Sequence, residues 1–153
     1  MKTYDDPKVI EAVTDILLKI GYIFQINDDY SDAFSQNTLH KTNNDIQQGK
    51  CTWFICKALE ISTVEIKTVI MENYGKPEKS CADTVVSNYI SLGLLNEYQD
   101  FKRTEFTNLM TEINGNSIIF DENLKNFLIW ICNAVFKVQD VGDVNIEKVN
   151  CKK

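Results

Sequence analysis

The sequence is poor in the residues that interrupt regular structure. Its 153 residues include only two prolines and six glycines. No Asn-Gly or Asp-Gly turn lies between alternating apolar runs, since Asn114-Gly115 falls between helical patterns. This scarcity of turn signals predicts an all-α fold.

Histidine is scarce as well, and the cysteines are not paired in sequence. His40 is the single histidine, and the five cysteines form no C-x-x-C pair, which argues against a zinc site. An odd number of scattered thiols is typical of a reducing compartment. The first residues contain no apolar leader, and no run of about 18 apolar residues follows. We therefore expect a cytoplasmic protein that does not span a membrane.

Basic residues are outnumbered by acidic ones. The 16 Lys and Arg against 22 Asp and Glu give a formal net charge of -6. Binding to nucleic acid or to an anionic membrane relies on clustered Lys and Arg, so neither is expected as a general partner. An anionic substrate would need basic residues concentrated at one place.

Helical patterns cover most of the chain. Pro7 predicts the start of a first helix that ends near Ala33, and a polar loop follows. Asn44 or Asp45 is expected to cap the next helix, in which Cys51 and Cys56 would be small core residues. The first helix is expected to bury a stripe formed by Val9, Val13, Ile16, Leu17, Ile20 and Phe24. The later expectations are a capping box at Ser62-Thr63-Val64-Glu65, a bend or break at Gly93, and a last helix from Leu124 to Val138.

Acidic residues follow the apolar part of the first helix directly. Gln25, Asp28, Asp29 and Asp32 would lie within an arc of roughly 100° on a helix. Three carboxylates so close repel one another unless a cation lies between them. Oxygen ligands suit Mg²⁺, which is usually held by one or two carboxylates together with substrate phosphates. On spacing alone a solvated acidic face is an equal alternative, but the apolar run that leads into the acids favours a site.

Two lysines downstream could complement these acids. Lys41 lies in the polar loop, and Lys50 in the expected first turns of the next helix. Each alone is typical of a surface lysine. Beside a carboxylate cluster, however, a lysine pair can neutralise phosphate oxygens while a metal bridges to the acids. Acids and lysines together indicate a diphosphate site.

The same stretches resemble a known family. Phe24 to Asp32 reads FQINDDYSD, and Lys41 to Trp53 reads KTNNDIQQGKCTW. They resemble the second aspartate-rich region of farnesyl and other polyprenyl diphosphate synthases, roughly F-Q-x-x-D-D-Y-x-D and then K-x-G-T-D-I-x-x-x-K-C-x-W. The likeness is greatest to divergent eukaryotic members such as those of arthropods.

The resemblance implies a fold, a reaction and a site. The fold would be the C-terminal half of an isoprenoid synthase helical bundle, with residues 1–139 as a partial polyprenyl synthase domain and 140–153 as a frayed tail. The reaction would be the Mg²⁺-dependent condensation of an allylic diphosphate with isopentenyl diphosphate, in a family that usually forms homodimers. The implied site residues are Asp28, Asp29 and Asp32 as metal ligands, Lys41 and Lys50 on the allylic diphosphate, and Gln25 lining the substrate site. No catalytic residue separate from these is expected.

The sequence also departs from the family pattern. Asn43-Asn44 replaces the family's Gly-Thr, and Lys137-Val138-Gln139-Asp140 replaces a basic run. The family's first aspartate-rich motif is absent, so the acids could hold at most part of a metal cluster. Two alternatives therefore stay open beside prenyl transfer. One is ionisation of a prenyl diphosphate as in terpene synthases, and the other is a non-catalytic helical protein that pairs with a full-length relative.

Overall fold

The computed structural model describes residues 6–34 and 44–137. Within these ranges the chain forms seven α-helices and no strand, which confirms the all-α prediction. The helices are α1 (Pro7–Phe34), α2 (Asn44–Gln47), α3 (Trp53–Ile61), α4 (Val64–Asn73), α5 (Lys79–Ser91), α6 (Leu94–Gly115) and α7 (Glu122–Lys137). None of these helices is long and apolar enough to cross a membrane. The expected loop with His40 and Lys41, and the expected tail after residue 139, lie outside the described residues.

The described residues divide into two compact units. The first contains residues 6–27 and 95–137, and the second contains residues 28–34 and 44–94. The first unit is therefore built from most of α1, nearly all of α6, and the whole of α7. The second unit is built from the end of α1 and the helices α2 to α5.

The core of the first unit is mostly aliphatic. It consists of Val9, Ile16, Ile20, Ile23, Leu109, Ile113, Phe120, Leu128 and Cys132. The predicted α1 stripe was wrong at two positions, because Leu17 is 39% exposed and Phe24 is 57% exposed. Ile23 is buried instead, because it follows Ile16 and Ile20 in steps of four and three residues. Leu17 and Phe24 each lie about 100° around the helix from Ile16 and Ile23, at the edge of the buried face.

The core of the second unit is aromatic. The ring of Phe54 lies 5.1 Å from that of Phe34 and 6.2 Å from that of Tyr89, measured between centroids. Trp53 packs edge to face against Phe54 at 4.9 Å. Tyr89 is fully buried, and burial raises the pKa of its phenol. These rings join the end of α1 to α3 and α5 and so fix the surroundings of the acidic residues.

Several helix boundaries follow the predicted signals. The Asp6 carboxylate accepts the Lys8 N–H at 2.9 Å, and α1 begins at Pro7. Gly93 adopts a φ of 75° between α5 and α6, which confirms the break predicted there. Asp121 caps α7 by accepting the Leu124 N–H at 2.8 Å.

Other boundaries differ from the prediction. The predicted capping box was wrong, because Thr63 rather than Ser62 caps α4 and accepts the Ile66 N–H. The single helix predicted from residue 44 onward was also wrong, because Gly49 has a φ of 66° and ends α2. Thr52 then caps α3 by accepting the Ile55 N–H at 3.4 Å.

The two cysteines near this break also differ from the prediction. Cys51 and Cys56 are exposed and not core residues. The assumed helix would have placed Cys51 on its apolar face, whereas the break before α3 leaves Cys51 outside any helix. Cys56 lies in the first turn of α3 and is exposed there. Lys50 lies in the same turn, so its expected place within a helix was wrong too.

Candidate functional site

Three acidic residues at the end of α1 lie in different environments. Asp28 is exposed, Asp29 is only 7% exposed, and Asp32 is half-buried. All three belong to the second unit. Gln25 lies earlier on α1, in the first unit, and is exposed. The three acids, which the helical spacing treats alike, therefore have different surroundings in the structure.

Asp29 is directed at the start of α3. Its Oδ2 accepts the backbone N–H of Trp53, the first residue of that helix, at 3.0 Å. The first N–H groups of a helix lack intrahelical partners and carry partial positive charge, so a buried carboxylate there is stabilised. Asp29 thus connects the end of α1 to the beginning of α3.

Asp32 has a similar role at the start of α2. Its Oδ1 accepts the Asn44 N–H at 3.2 Å, and its Oδ2 accepts the Asp45 N–H at 3.0 Å. Each carboxylate oxygen has two lone pairs, so one N–H on each oxygen leaves acceptor capacity for a cation. Asp32 can therefore hold the backbone of α2 and still serve as a metal ligand.

Lys50 lies among these carboxylates. Its Nζ contacts Asp45 Oδ1 at 2.5 Å, with the Asp45 side chain 14% exposed. The pKa of Lys50 is raised by the hydrogen bond to Asp45, and further by the negative charges of Asp45, Asp32 and Asp28. Lys50 thus pairs directly with Asp45, whose backbone N–H is bound by Asp32.

Backbone contacts fix the turn that carries Lys50. The Tyr74 hydroxyl donates to the Lys50 carbonyl oxygen at 2.6 Å. The backbones of Gly49 and Gly75 approach closely, since a Cβ added to Gly49 would lie 3.3 Å from the Gly75 Cα. Both glycines have positive φ, of 66° and 74°, which favours glycine. Sequence reasoning missed this pair because its partners are 26 positions apart (75 minus 49).

The residues fit a magnesium ion in part. Within residues 6–34 and 44–137, no three His, Cys, Asp or Glu side chains are arranged to hold one ion. Asp28 and Asp32 could supply the one or two carboxylates that Mg²⁺ usually takes when phosphate oxygens complete its shell. Asp29 fits less well, because it is buried and its Oδ2 binds the Trp53 N–H.

Asp45 is the site residue that sequence reasoning missed. It lies in the Asp-Ile pair of the second motif, five positions before Lys50, and could have been found from that spacing. The structure links Asp32 to the Asp45 backbone and the Asp45 side chain to Lys50. Lys41 lies outside the described residues.

Comparison with known proteins gives consistent similarities. The family model described as polyprenyl synthetase matches residues 1–91. Farnesyl pyrophosphate synthase 1 of Parthenium argentatum is 36% identical over 126 residues, covering 81% of this chain and 37% of that protein. A chloroplastic monoterpene synthase of Artemisia spiciformis is 37% identical over 118 residues, covering 76% of this chain and 30% of that protein. The chain thus spans about a third of the length of these relatives.

A solved structure shares the fold. Farnesyl diphosphate synthase of T. brucei, complexed with risedronate, aligns with a TM-score of 0.79 at 21% sequence identity. The alignment covers 85% of this chain and 36% of that chain. At this identity the likeness concerns the helical fold alone.

Proposed function

Because this chain belongs to the polyprenyl synthetase family, we propose that the region around Asp28, Asp32 and Lys50 binds Mg²⁺ and the diphosphate of an allylic prenyl substrate. The observation that carries the proposal is the chain of contacts from Lys50 to the acids: the Lys50 ammonium contacts Asp45 Oδ1 at 2.5 Å, and the Asp45 N–H donates to Asp32 Oδ2 at 3.0 Å. Such a group of charges suits a ligand that is itself a metal-bound anion.

Each residue has a proposed part in binding. Asp28 and Asp32 would hold Mg²⁺, and Asp29 would contribute to the metal set while holding the start of α3. Lys50 would leave Asp45 to contact the diphosphate, with Lys41 as the second lysine. Gln25 would line the substrate site.

The proposed reaction is a condensation. Bound Mg²⁺ would stabilise the negative charge that develops on diphosphate as it leaves the allylic carbon. The Lys50 ammonium would stabilise the same charge where it forms. The double bond of isopentenyl diphosphate would then attack the allylic cation, and loss of a proton would complete the longer prenyl diphosphate. A homodimer, or pairing with a full-length relative, and a cytoplasmic location stay predictions.

Binding of inorganic diphosphate tests the site directly. In calorimetry with Mg²⁺ present, we expect Asp28→Ala and Lys50→Ala each to weaken binding by about tenfold or more, the equivalent of one charge-assisted hydrogen bond. The matched control is Lys79→Ala, which removes an exposed lysine paired with Asp83 at 2.9 Å on α5. Equal affinities of Lys50→Ala and Lys79→Ala would refute the assignment of Lys50.

Product analysis separates this function from the second candidate. The monoterpene synthase among the relatives favours simple ionisation as the alternative. With geranyl diphosphate, isopentenyl diphosphate and Mg²⁺, a longer prenyl diphosphate would support transfer, while hydrocarbons or alcohols would support ionisation. We expect little or no turnover by this chain alone, because the family's first aspartate-rich motif is not in its sequence. Rapid release of diphosphate that Asp28→Ala abolishes would contradict that expectation.

A further inference from the structure

Two exposed thiols face each other beside the proposed diphosphate site. The Sγ atoms of Cys51 and Cys56 are 3.5 Å apart, and both residues are exposed. The other described cysteines differ, since Cys81 is half-buried and Cys132 is buried. Among the described cysteines, Cys51 and Cys56 are therefore the pair whose thiols are both exposed and in contact with each other.

The two sulfur atoms are in non-bonded contact, so a small movement would bring them to bonding distance. A disulfide bond is about 2.05 Å long, so the two sulfurs would have to approach by about 1.5 Å. Cys56 belongs to the first turn of α3, whereas Cys51 lies in the turn before it. Because Cys51 is outside a helix, it can make the approach without breaking helical hydrogen bonds.

We propose that Cys51 and Cys56 form a reversible intramolecular disulfide by exchange with a small disulfide such as glutathione disulfide. The Cys51 thiolate attacks one glutathione sulfur and releases the first glutathione thiolate. The Cys56 thiolate then attacks Cys51 Sγ and releases the second. Two electrons pass from the protein to the small disulfide, and the two protons lost by the cysteines end on the two glutathione thiols.

The bond would alter the turn that carries Lys50. Cys51 follows Lys50 directly, and the Lys50 carbonyl oxygen accepts the Tyr74 hydroxyl and the Thr52 N–H at 2.6 and 3.0 Å. Movement of Cys51 toward α3 would disturb these two hydrogen bonds and displace Lys50. Oxidation is therefore expected to weaken binding of Mg²⁺ and diphosphate, a consequence that rests on the proposed function.

Tryptic mapping tests the disulfide. Trypsin cleaves after Lys50 and Lys57, so Cys51 and Cys56 lie in one peptide, CTWFICK. After native protein is incubated with glutathione disulfide, we expect this peptide to be lighter by two hydrogen atoms and to be restored by dithiothreitol. Cys56→Ser should instead carry glutathione on Cys51, while Cys81→Ser should behave as the unchanged protein. Recovery of both thiols in the reduced state, or of glutathione on each, would overturn the proposal.

Calorimetry with Mg²⁺ and inorganic diphosphate tests the consequence. The oxidised protein should bind at least about threefold more weakly than the reduced protein, and a variant with both Cys51→Ser and Cys56→Ser should show no such loss after the same treatment. Equal affinity of the two forms would overturn the link between the disulfide and the site. A reduced protein that binds no diphosphate would refute the proposed function, whereas the mass of the peptide would still decide whether the disulfide forms.

Discussion

Asn27 and Asp29 are two positions apart on α1, and both are buried, yet their hydrogen bonds differ in kind. Asn27, in the first unit, donates to the Val135 carbonyl oxygen at 2.9 Å and accepts the Tyr98 hydroxyl at 2.7 Å. Asp29, in the second unit, accepts the Trp53 N–H through one oxygen of a charged group. The Asn27 amide joins α1, α6 and α7 and is uncharged, so it needs no counter-ion, which suits a purely structural contact.

Charged side chains are balanced in different ways in the two units. In the second unit, Lys50 pairs with the carboxylate of Asp45, and its own side chain is 52% exposed. In the first unit, Lys102 is only 8% exposed, and its ammonium donates to the Phe136 carbonyl oxygen and lies 5.5 Å from the centre of the Tyr98 ring. A buried lysine held by a carbonyl and a ring is structural, whereas an exposed one among carboxylates can exchange partners.

Loss of the Asn27 amide should give the largest effect on stability. Asn27→Ala leaves the buried Tyr98 hydroxyl and the Val135 carbonyl without this partner, so we expect a loss of about 2–4 kcal/mol in the free energy of unfolding. Urea denaturation measures it. The control is Asn114→Ala, which removes an exposed side-chain amide on α6 that donates to the Met110 carbonyl oxygen of the same helix. It should change stability by about 0.5 kcal/mol or less. Similar losses in both variants would show that Asn27 has no special structural role.

Two glycine substitutions should shift stability in opposite directions. Gly49→Ala forces a side chain into a left-handed conformation, at a cost of about 1–2 kcal/mol, and crowds Gly75. Gly21→Ala lies inside α1 with nothing within 4 Å of the added carbon, so it should stabilise the helix by up to about 1 kcal/mol. Thermal unfolding of the two variants compares them. A stabilised Gly49→Ala protein would contradict the close approach of the glycines.

Substitution of two neighbouring aspartates should affect stability and ligand binding differently. Asp29→Asn removes a buried charge from the start of α3 and should cost about 1 kcal/mol of stability. Asp28→Asn removes an exposed charge from a cluster of like charges and should leave stability unchanged or slightly higher. Binding of Mg²⁺ and diphosphate should respond more strongly to Asp28→Asn. The reverse order in both measurements would mean that the two roles are assigned to the wrong residues.

The smallest effect at neutral pH should come from Cys132. Burial in the first unit raises the pKa of its thiol from 9.0 to about 11. The unfolded chain therefore loses this proton at lower pH than the folded protein, and stability falls as pH rises from about 9 to 11. Cys132→Ala should remove that part of the slope, measured by urea denaturation at several pH values. An unchanged slope would mean that the folded thiol titrates normally.

Much of the fold could be predicted because its signals are local. Pro7 and the three- and four-residue spacing located α1, and the FQINDDYSD motif indicated both the family and the isoprenoid synthase helical fold, which are confirmed. The turn around Lys50 could not be predicted, because Gly49 needs Gly75 and the Tyr74 hydroxyl to define it. For the same reason the exposed position of Cys51 was missed.

Within the candidate site, the identity of the acids could be predicted but not their environments. Helical spacing treats Asp28 and Asp29 as neighbours on one face. Burial and the Trp53 N–H distinguish them only after α3 has packed against the end of α1. The metal and diphosphate roles of these residues, and those of Lys41 and Gln25, stay predictions.

The contact between Asp29 and Trp53 also provides an optical reporter. The chain has two tryptophans, and Trp130 is 66% exposed on α7. The indole of Trp53 packs against Phe54 at 4.9 Å, while its backbone N–H is bound by Asp29. In a Trp130→Phe protein, fluorescence emission would arise from Trp53 alone. Its intensity and wavelength would then follow the electric field at the acidic end of α1 as ligands bind, without any added label.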